Sequence, residues 1–135
     1  MEQGVNYYDT AWGYHDGHSE TAMGEALKKY PRESFYLATK FPGYDLSNMD
    51  KVEEIFEKQL EKCGVDYFDF YLFHNVCEMN IDAYLNPKYG IFAYLMKQNR
   101  LANPPLRVFR TRQLWRDEAF FACSMGRIWN LGRFS

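Results

Sequence analysis

The chain has 135 residues, enough for one modest domain. It is 47% hydrophobic, 19% aromatic and 25% charged, which excludes a disordered segment. A formal net charge of −2 gives no basic field for nucleic acid, so no nucleic-acid partner is expected. No apolar run approaches the ~20 residues that a membrane span requires, so no membrane partner is expected either.

Residues 5–9 form a short β-prone run that ends on Asp9, and a turn-rich stretch, residues 13–18, follows. Residues 19–30 carry Met23, Leu27 and Tyr30 at helical spacing, with Ser19 expected as N-cap and Glu20 in the first turn. Pro31 stops that helix. Residues 35–41 read as a second strand, closed by Pro42 and Gly43.

Ser47 with Asp50 three residues later is expected to form a capping box for the next helix. There Val52, Ile55, Phe56, Leu60 and Cys63 share a face, Glu54 and Lys58 pair on the other side, and Gly64 provides the stop. Residues 67–74 form a third strand, nearly all aromatic or aliphatic, as suits a strand covered on both faces. A loop containing Pro87 precedes a further helix over residues 91–98. The alternation is that of an α/β fold with a parallel sheet. Three strand–helix units do not close a barrel, and their open edges would be sticky.

Each strand ends at an ionisable side chain: Asp9, Lys40 and His74, while Tyr14 follows in the first loop. In parallel α/β sheets and barrels the active site gathers at the carboxyl ends of the strands. Any one of these residues has a plainer role: the Asp caps a turn, the Lys is solvated, the His and Tyr pack. On successive strand ends, together, they favour an active site.

Asp9 to Tyr14, then Ser19, Glu20 and Gly24, resembles the D-T-A-x-x-Y … S-E stretch of the aldo/keto reductase family. Thr39–Lys40 and the run Leu72, Phe73, His74, Asn75 continue that resemblance in the right order. The wording from Tyr14 to Glu20 is most similar to the ferredoxin-like, iron–sulfur branch. The resemblance covers roughly residues 2–99 and implies a TIM-type (β/α)₈ barrel, here partial and open, from about the second to the fourth strand with their helices. It implies NAD(P)H-dependent reduction of a small carbonyl substrate, with NADP(H) or NAD(H) as cofactor. Tyr14 would protonate the carbonyl oxygen and Lys40 would make that phenol a stronger acid. Asp9 would pair with Lys40, and His74 would orient the carbonyl. A free Tyr has a pKa of about 10, so a nearby cation helps it to donate near neutrality. The hydride belongs to the nicotinamide.

The chain departs from the family pattern in two respects. It starts almost on the second barrel strand, and a whole barrel takes about 250 residues. The cofactor-binding residues are therefore expected in elements that the sequence does not contain, and the reading is of a chain that carries the catalytic set but is inactive alone. The second departure is the tail, residues 100–135, whose Arg and aromatic residues show no period and no strand ending on a polar residue. Read one base out of register with permitted codons, residues 100–115 yield a strand of the family's type, so the tail is read as out-of-frame translation; a divergent tail is the alternative.

Three other features carry readings of their own. Open strand edges and abundant aromatics suit a non-catalytic assembly or binding module. His15, Asp16 and His18 suggest a weak metal site, but a further ligand is lacking, so no metal is expected. Cys63, Cys77 and Cys123 have no cluster spacing, so an iron–sulfur centre would need a C-terminal extension. Unpaired cysteines and the lack of a secretory layout in Met1 to Gly4 lead to a cytoplasmic expectation.

Overall fold

The computed structural model describes residues 4–101 and 107–108, and side chains through residue 98. Four strands, β1 (Tyr7–Asp9), β2 (Tyr36–Phe41), β3 (Phe70–Phe73) and β4 (Arg107–Val108), form one sheet in the order β1-β2-β3-β4. Every pairing is parallel, with Asp9 opposite Ala38, Lys40 opposite Leu72 and Phe70 opposite Arg107. Among the described residues, four α-helices accompany them: α1 (Ser19–Leu27), α2 (Val52–Cys63), α3 (Ile81–Leu85) and α4 (Ile91–Leu101). Consecutive parallel strands joined through helices are the arrangement expected from the alternating pattern.

The two faces of the sheet differ. Along β2 and β3, Leu37, Phe41 and Tyr71 join the main core with Ile55 and Phe56 of α2 and Leu95 of α4. Side chains alternate along a strand, so Tyr36, Ala38 and Lys40 lie on the opposite face. There Tyr7 and Tyr36 meet Phe70, with ring centroids 5.4 and 6.1 Å apart. Arg32 clips the lower ends of β2 and β3. It donates to the carbonyls of Phe35 (3.0 Å) and Tyr67 (2.9 Å) and to Asp69 Oδ2 (2.6 Å), which also accepts from the Leu37 amide (2.8 Å).

α2 follows its sequence pattern closely. Val52, Ile55, Phe56 and Cys63 are buried, and Lys58 Nζ reaches Glu54 Oε1 at 2.6 Å on the exposed side. Gly64 ends the helix in the left-handed conformation (φ 62°) that glycine adopts without strain.

Several local expectations are corrected. The Ser47–Asp50 capping box does not form. Ser47 lies in a short 3₁₀ turn, Leu46–Asn48, where Asp45 accepts from its amide, and Lys51 precedes α2 without a side-chain cap. Asp45 sits two residues before Ser47 and so outcompetes the longer reach from Asp50. Ser19 is the first residue of α1 and not its cap; His18 holds the capping place, and Ser19 Oγ bonds Thr10 Oγ1 at 2.9 Å. α1 stops at Leu27, three residues before the expected end, and Tyr30 packs from the turn beyond. β1, β2 and β3 are shorter than expected because pairing reaches only where a neighbour lies alongside. α3 lies where a loop was expected. Within the tail, Arg107–Val108 form β4, which pairs parallel to β3. The remainder of the tail reading lies outside the described residues.

Candidate active site

Lys40 is the penultimate residue of β2 and is 7% exposed. Its Nζ forms an ion pair with Asp9 Oδ1 from the end of β1 and donates to the Thr10 carbonyl at 2.9 Å. A cation this buried is retained when a carboxylate and a carbonyl replace the water it has lost. The same Nζ lies 4.8 Å from the centroid of the Tyr14 ring, within cation–π range. The Tyr14 ring in turn meets the His74 ring edge-on, with centroids 5.5 Å apart and planes at 87°. The four residues singled out in the sequence therefore converge at the carboxyl end of the sheet.

The backbone explains why they meet. His74 follows β3, and its amide donates to the Phe41 carbonyl (3.1 Å), continuing the ladder past the strand end. The loop after β1 doubles back in a tight turn: Tyr14's carbonyl accepts from the amides of Gly17 (3.1 Å) and Ser19 (3.2 Å). His15 and Asp16 take positive φ (51° and 55°) to close it, a conformation that side-chain-bearing residues seldom adopt. The turn leaves the Tyr14 side chain 39% exposed at the rim.

Burial is the main cause that lowers the His74 pKa from its ordinary value. The Lys40 charge acts in the same direction, and Asp9 opposes both. His74 is thus held as neutral imidazole, which keeps one N–H donor and one bare nitrogen. Among the described residues, its buried Nδ1 has no hydrogen-bond partner.

Two further side chains frame the site, and neither was singled out in the sequence. Tyr44, immediately after Pro42 and Gly43, packs edge-on against His74, with centroids 5.0 Å apart. Burial, and then the Asp45 charge, raise the pKa of its hydroxyl, so it stays protonated. The rule that drew attention to Tyr14, a tyrosine in the loop just past a strand end, applies equally to Tyr44. Tyr84 of α3 lies behind the site, its hydroxyl 2.9 Å from the His74 carbonyl and 3.1 Å from that of Phe41. It pins together the ends of β2 and β3, and the sequence hides this role because α3 falls where a loop is expected.

His15, Asp16 and His18 do not gather: among the described residues, no three His, Cys, Asp or Glu side chains are placed to hold a metal ion. No described helix is long and apolar enough to cross a membrane. Among the described residues, Cys63 and Cys77 are free thiols.

Residues 1–86 match the family model described as "Aldo/keto reductase family". In an alignment 88 positions long that covers 53% of this chain, the sequence is 33% identical to the NADH-specific methylglyoxal reductase of Escherichia coli. An aldo/keto reductase structure from Brucella melitensis superposes with a TM-score of 0.58 at 26% identity over 85% of this chain. A Bombyx mori aldo-keto reductase solved in complex with NADP superposes with a TM-score of 0.57, also at 26% identity and 85% coverage. The chain spans 27% of the length of the Escherichia coli relative and 43% and 40% of the two solved chains. These neighbours imply a (β/α)₈ barrel, and four parallel strands in sequential order fit an incomplete part of one. With nearly two thirds of its residues inside the family match, the chain belongs to the aldo/keto reductase family.

Proposed function

We propose that this chain carries the catalytic side chains of an NAD(P)H-dependent carbonyl reductase, with β1, β2 and β3 as the second, third and fourth strands of its barrel. The observation that carries the reading is Lys40 Nζ, held between the Asp9 carboxylate and the Tyr14 ring while His74 abuts that ring. When bound, the nicotinamide supplies a hydride to the carbonyl carbon. Tyr14 donates its phenolic proton to the oxygen as negative charge develops there. Lys40 stabilises the resulting phenolate, and Asp9 keeps the ammonium charged in a buried place. His74, neutral because it is buried, offers an N–H that orients the substrate oxygen without adding a competing charge.

The donor set fits the reacting end of such a complex: one phenol, one ammonium and one neutral imidazole face a single rim. The phosphates of the dinucleotide are assigned to no described residue, and NADH and NADPH are equally compatible with this rim. The substrate class is a small aldehyde or ketone. The relative named as a methylglyoxal reductase makes that dicarbonyl the first substrate to try. Placement in the ferredoxin-like branch rests on the Tyr14 to Glu20 wording alone, and a cluster would need ligands outside the described residues. A cytoplasmic setting suits the free thiols of Cys63 and Cys77.

The alternative is a non-catalytic assembly module. It is favoured by β1 standing at the edge of the described sheet with Val5 55% and Tyr36 47% exposed nearby. NADH and NADPH oxidation with methylglyoxal, followed by absorbance at the nicotinamide band, separates the two readings. The test is run on the 135-residue chain and on a version joined to the remaining barrel strands of a relative. Turnover in the joined protein that Tyr14→Phe lowers by at least about a hundredfold supports the reductase reading. The activity of the 135-residue chain alone is expected to be nil. Turnover indifferent to Tyr14→Phe and Lys40→Met overturns the catalytic assignment, and a discrete oligomer without turnover favours assembly.

A further inference from the structure

Behind the rim, on the helix side of the sheet, lies a buried carboxylate that the proposed reaction does not use. Glu20, in the first turn of α1, is fully buried. A buried carboxylate is costly unless its oxygens are well supplied with donors. Here they are, and the two oxygens face different parts of the site. Oε1 accepts from the Thr39 hydroxyl (2.7 Å) and from Gln59 Nε2 (2.6 Å). Gln59 Nε2 also lies 3.1 Å from the Lys40 carbonyl, and Gln59 Oε1 accepts from the Tyr71 hydroxyl. This side therefore grips β2 at Thr39 and Lys40. Oε2 lies 3.5 Å from Lys62 Nζ, which donates to the Gly17 carbonyl at 3.0 Å and sits 4.2 Å from the centroid of the Trp12 ring. This side therefore grips the loop that carries Tyr14. Next to Glu20, Ser19 bonds the hydroxyl of Thr10, whose carbonyl holds Lys40.

We propose that Glu20 is a positioning residue that couples the Tyr14 loop to the Lys40 strand, one carboxylate oxygen serving each. This inference rests on the reading of Tyr14 and Lys40 as the working acid and cation. Strand alternation explains how it can act without touching substrate: Lys40 and Asp9 point to one face of the sheet, and their neighbours Thr39 and Thr10 point to the other, where Ser19 and Glu20 hold them. An apolar residue at position 20 would pack as well but would leave both grips empty. A carboxylate reaches two directions at once, whereas the amide of glutamine accepts on one side only.

His74 reports on both grips without any cofactor or substrate. Its titration midpoint senses the Lys40 charge, against the opposing Asp9 and a surrounding wall of Tyr14, Tyr44 and Tyr84. Its ring protons sense Tyr14 through the edge-on contact. The experiment is proton NMR of the three histidines of the full chain across pH, with Lys40→Met calibrating the first signal and Tyr14→Leu the second. Thr39→Val is expected to move the His74 midpoint up, toward the Lys40→Met value, with the Tyr14 shift retained. Lys62→Met and Glu20→Gln are expected to shift the ring protons toward the Tyr14→Leu position with the midpoint retained. Glu20→Ala is expected to do both; should it fail to fold by circular dichroism, the Thr39 and Lys62 variants carry the test. Folded variants that leave both signals at their wild-type values overturn the proposal, as does an identical change in every variant. The expected pattern in a protein that reduces no carbonyl leaves the coupling standing and rejects the reductase reading instead.

Discussion

Replacing Gly24 with alanine sets two effects of known size against each other. Alanine is favoured over glycine inside a helix by about 1 kcal/mol, so α1 alone would gain stability. The position, however, faces the C-terminal end of α2. A Cβ placed on Gly24 would lie 2.5 Å from the Cys63 carbonyl oxygen, 2.7 Å from its carbon and 2.9 Å from its Cα. Reaching even a close C···O contact of about 3.3 Å requires the helices to part by about 0.8 Å. The obstacle is backbone, so no side-chain rotation relieves it. Overpacking of this kind costs about 1–3 kcal/mol, and separation also forfeits dispersion along the α1–α2 seam. Because the obstacle is backbone, the cost falls in the upper part of that range, about 2–3 kcal/mol, and Gly24→Ala is expected to destabilise the chain by about 1–2 kcal/mol net. Urea denaturation followed by circular dichroism measures this as a lower midpoint at unchanged slope. An alanine variant as stable as wild type, or more so, would refute the close seating of α1 on α2. It would also undercut the placement of Ser19 and Glu20, which ride on the same helix.

Two further outcomes follow from the site. Tyr84→Phe keeps the ring that stacks on Phe73 at 4.6 Å but removes the hydroxyl shared by the Phe41 and His74 carbonyls. A loss of about 1–2 kcal/mol is expected in thermal or urea unfolding, and a neutral result would mean that water supplies those carbonyls instead. The pH dependence of stability reports on His74. Its folded-state pKa is lowered, first by burial and then by Lys40, so between that value and the ordinary 6.5 the unfolded chain binds the extra proton. The stabilisation is therefore present above about pH 6.5 and is lost as pH falls through the depressed value. Melting temperatures from pH 7.5 down to 5 should fall more steeply for wild type than for His74→Gln, and parallel curves would contradict the burial of the imidazole.

The elements whose cues are local were legible in the sequence. The five-residue apolar face of α2, the Gly64 stop, the covered strand at Phe70–Phe73 and the polar side chains at three strand ends follow from periodicity and turn chemistry within a dozen residues. The convergence of Asp9, Tyr14, Lys40 and His74 could also be anticipated, because parallel strands joined by helices must present their carboxyl ends on one side. Tertiary structure decided what depends on partners far along the chain. Glu20 reads as a first-turn acid suited to a helix dipole and an aqueous surface, yet it is buried because Thr39, Gln59 and Lys62, between 19 and 42 residues away, supply its donors. Gln59 looks like an ordinary exposed helix residue until Tyr71 and the Lys40 carbonyl claim both ends of its amide. Tyr44 is one tyrosine among eleven until the turn at Pro42 and Gly43 folds it over His74. A hydrogen bond or ring contact between distant segments leaves no period in the sequence, because its geometry exists only after the sheet has set the distance between them.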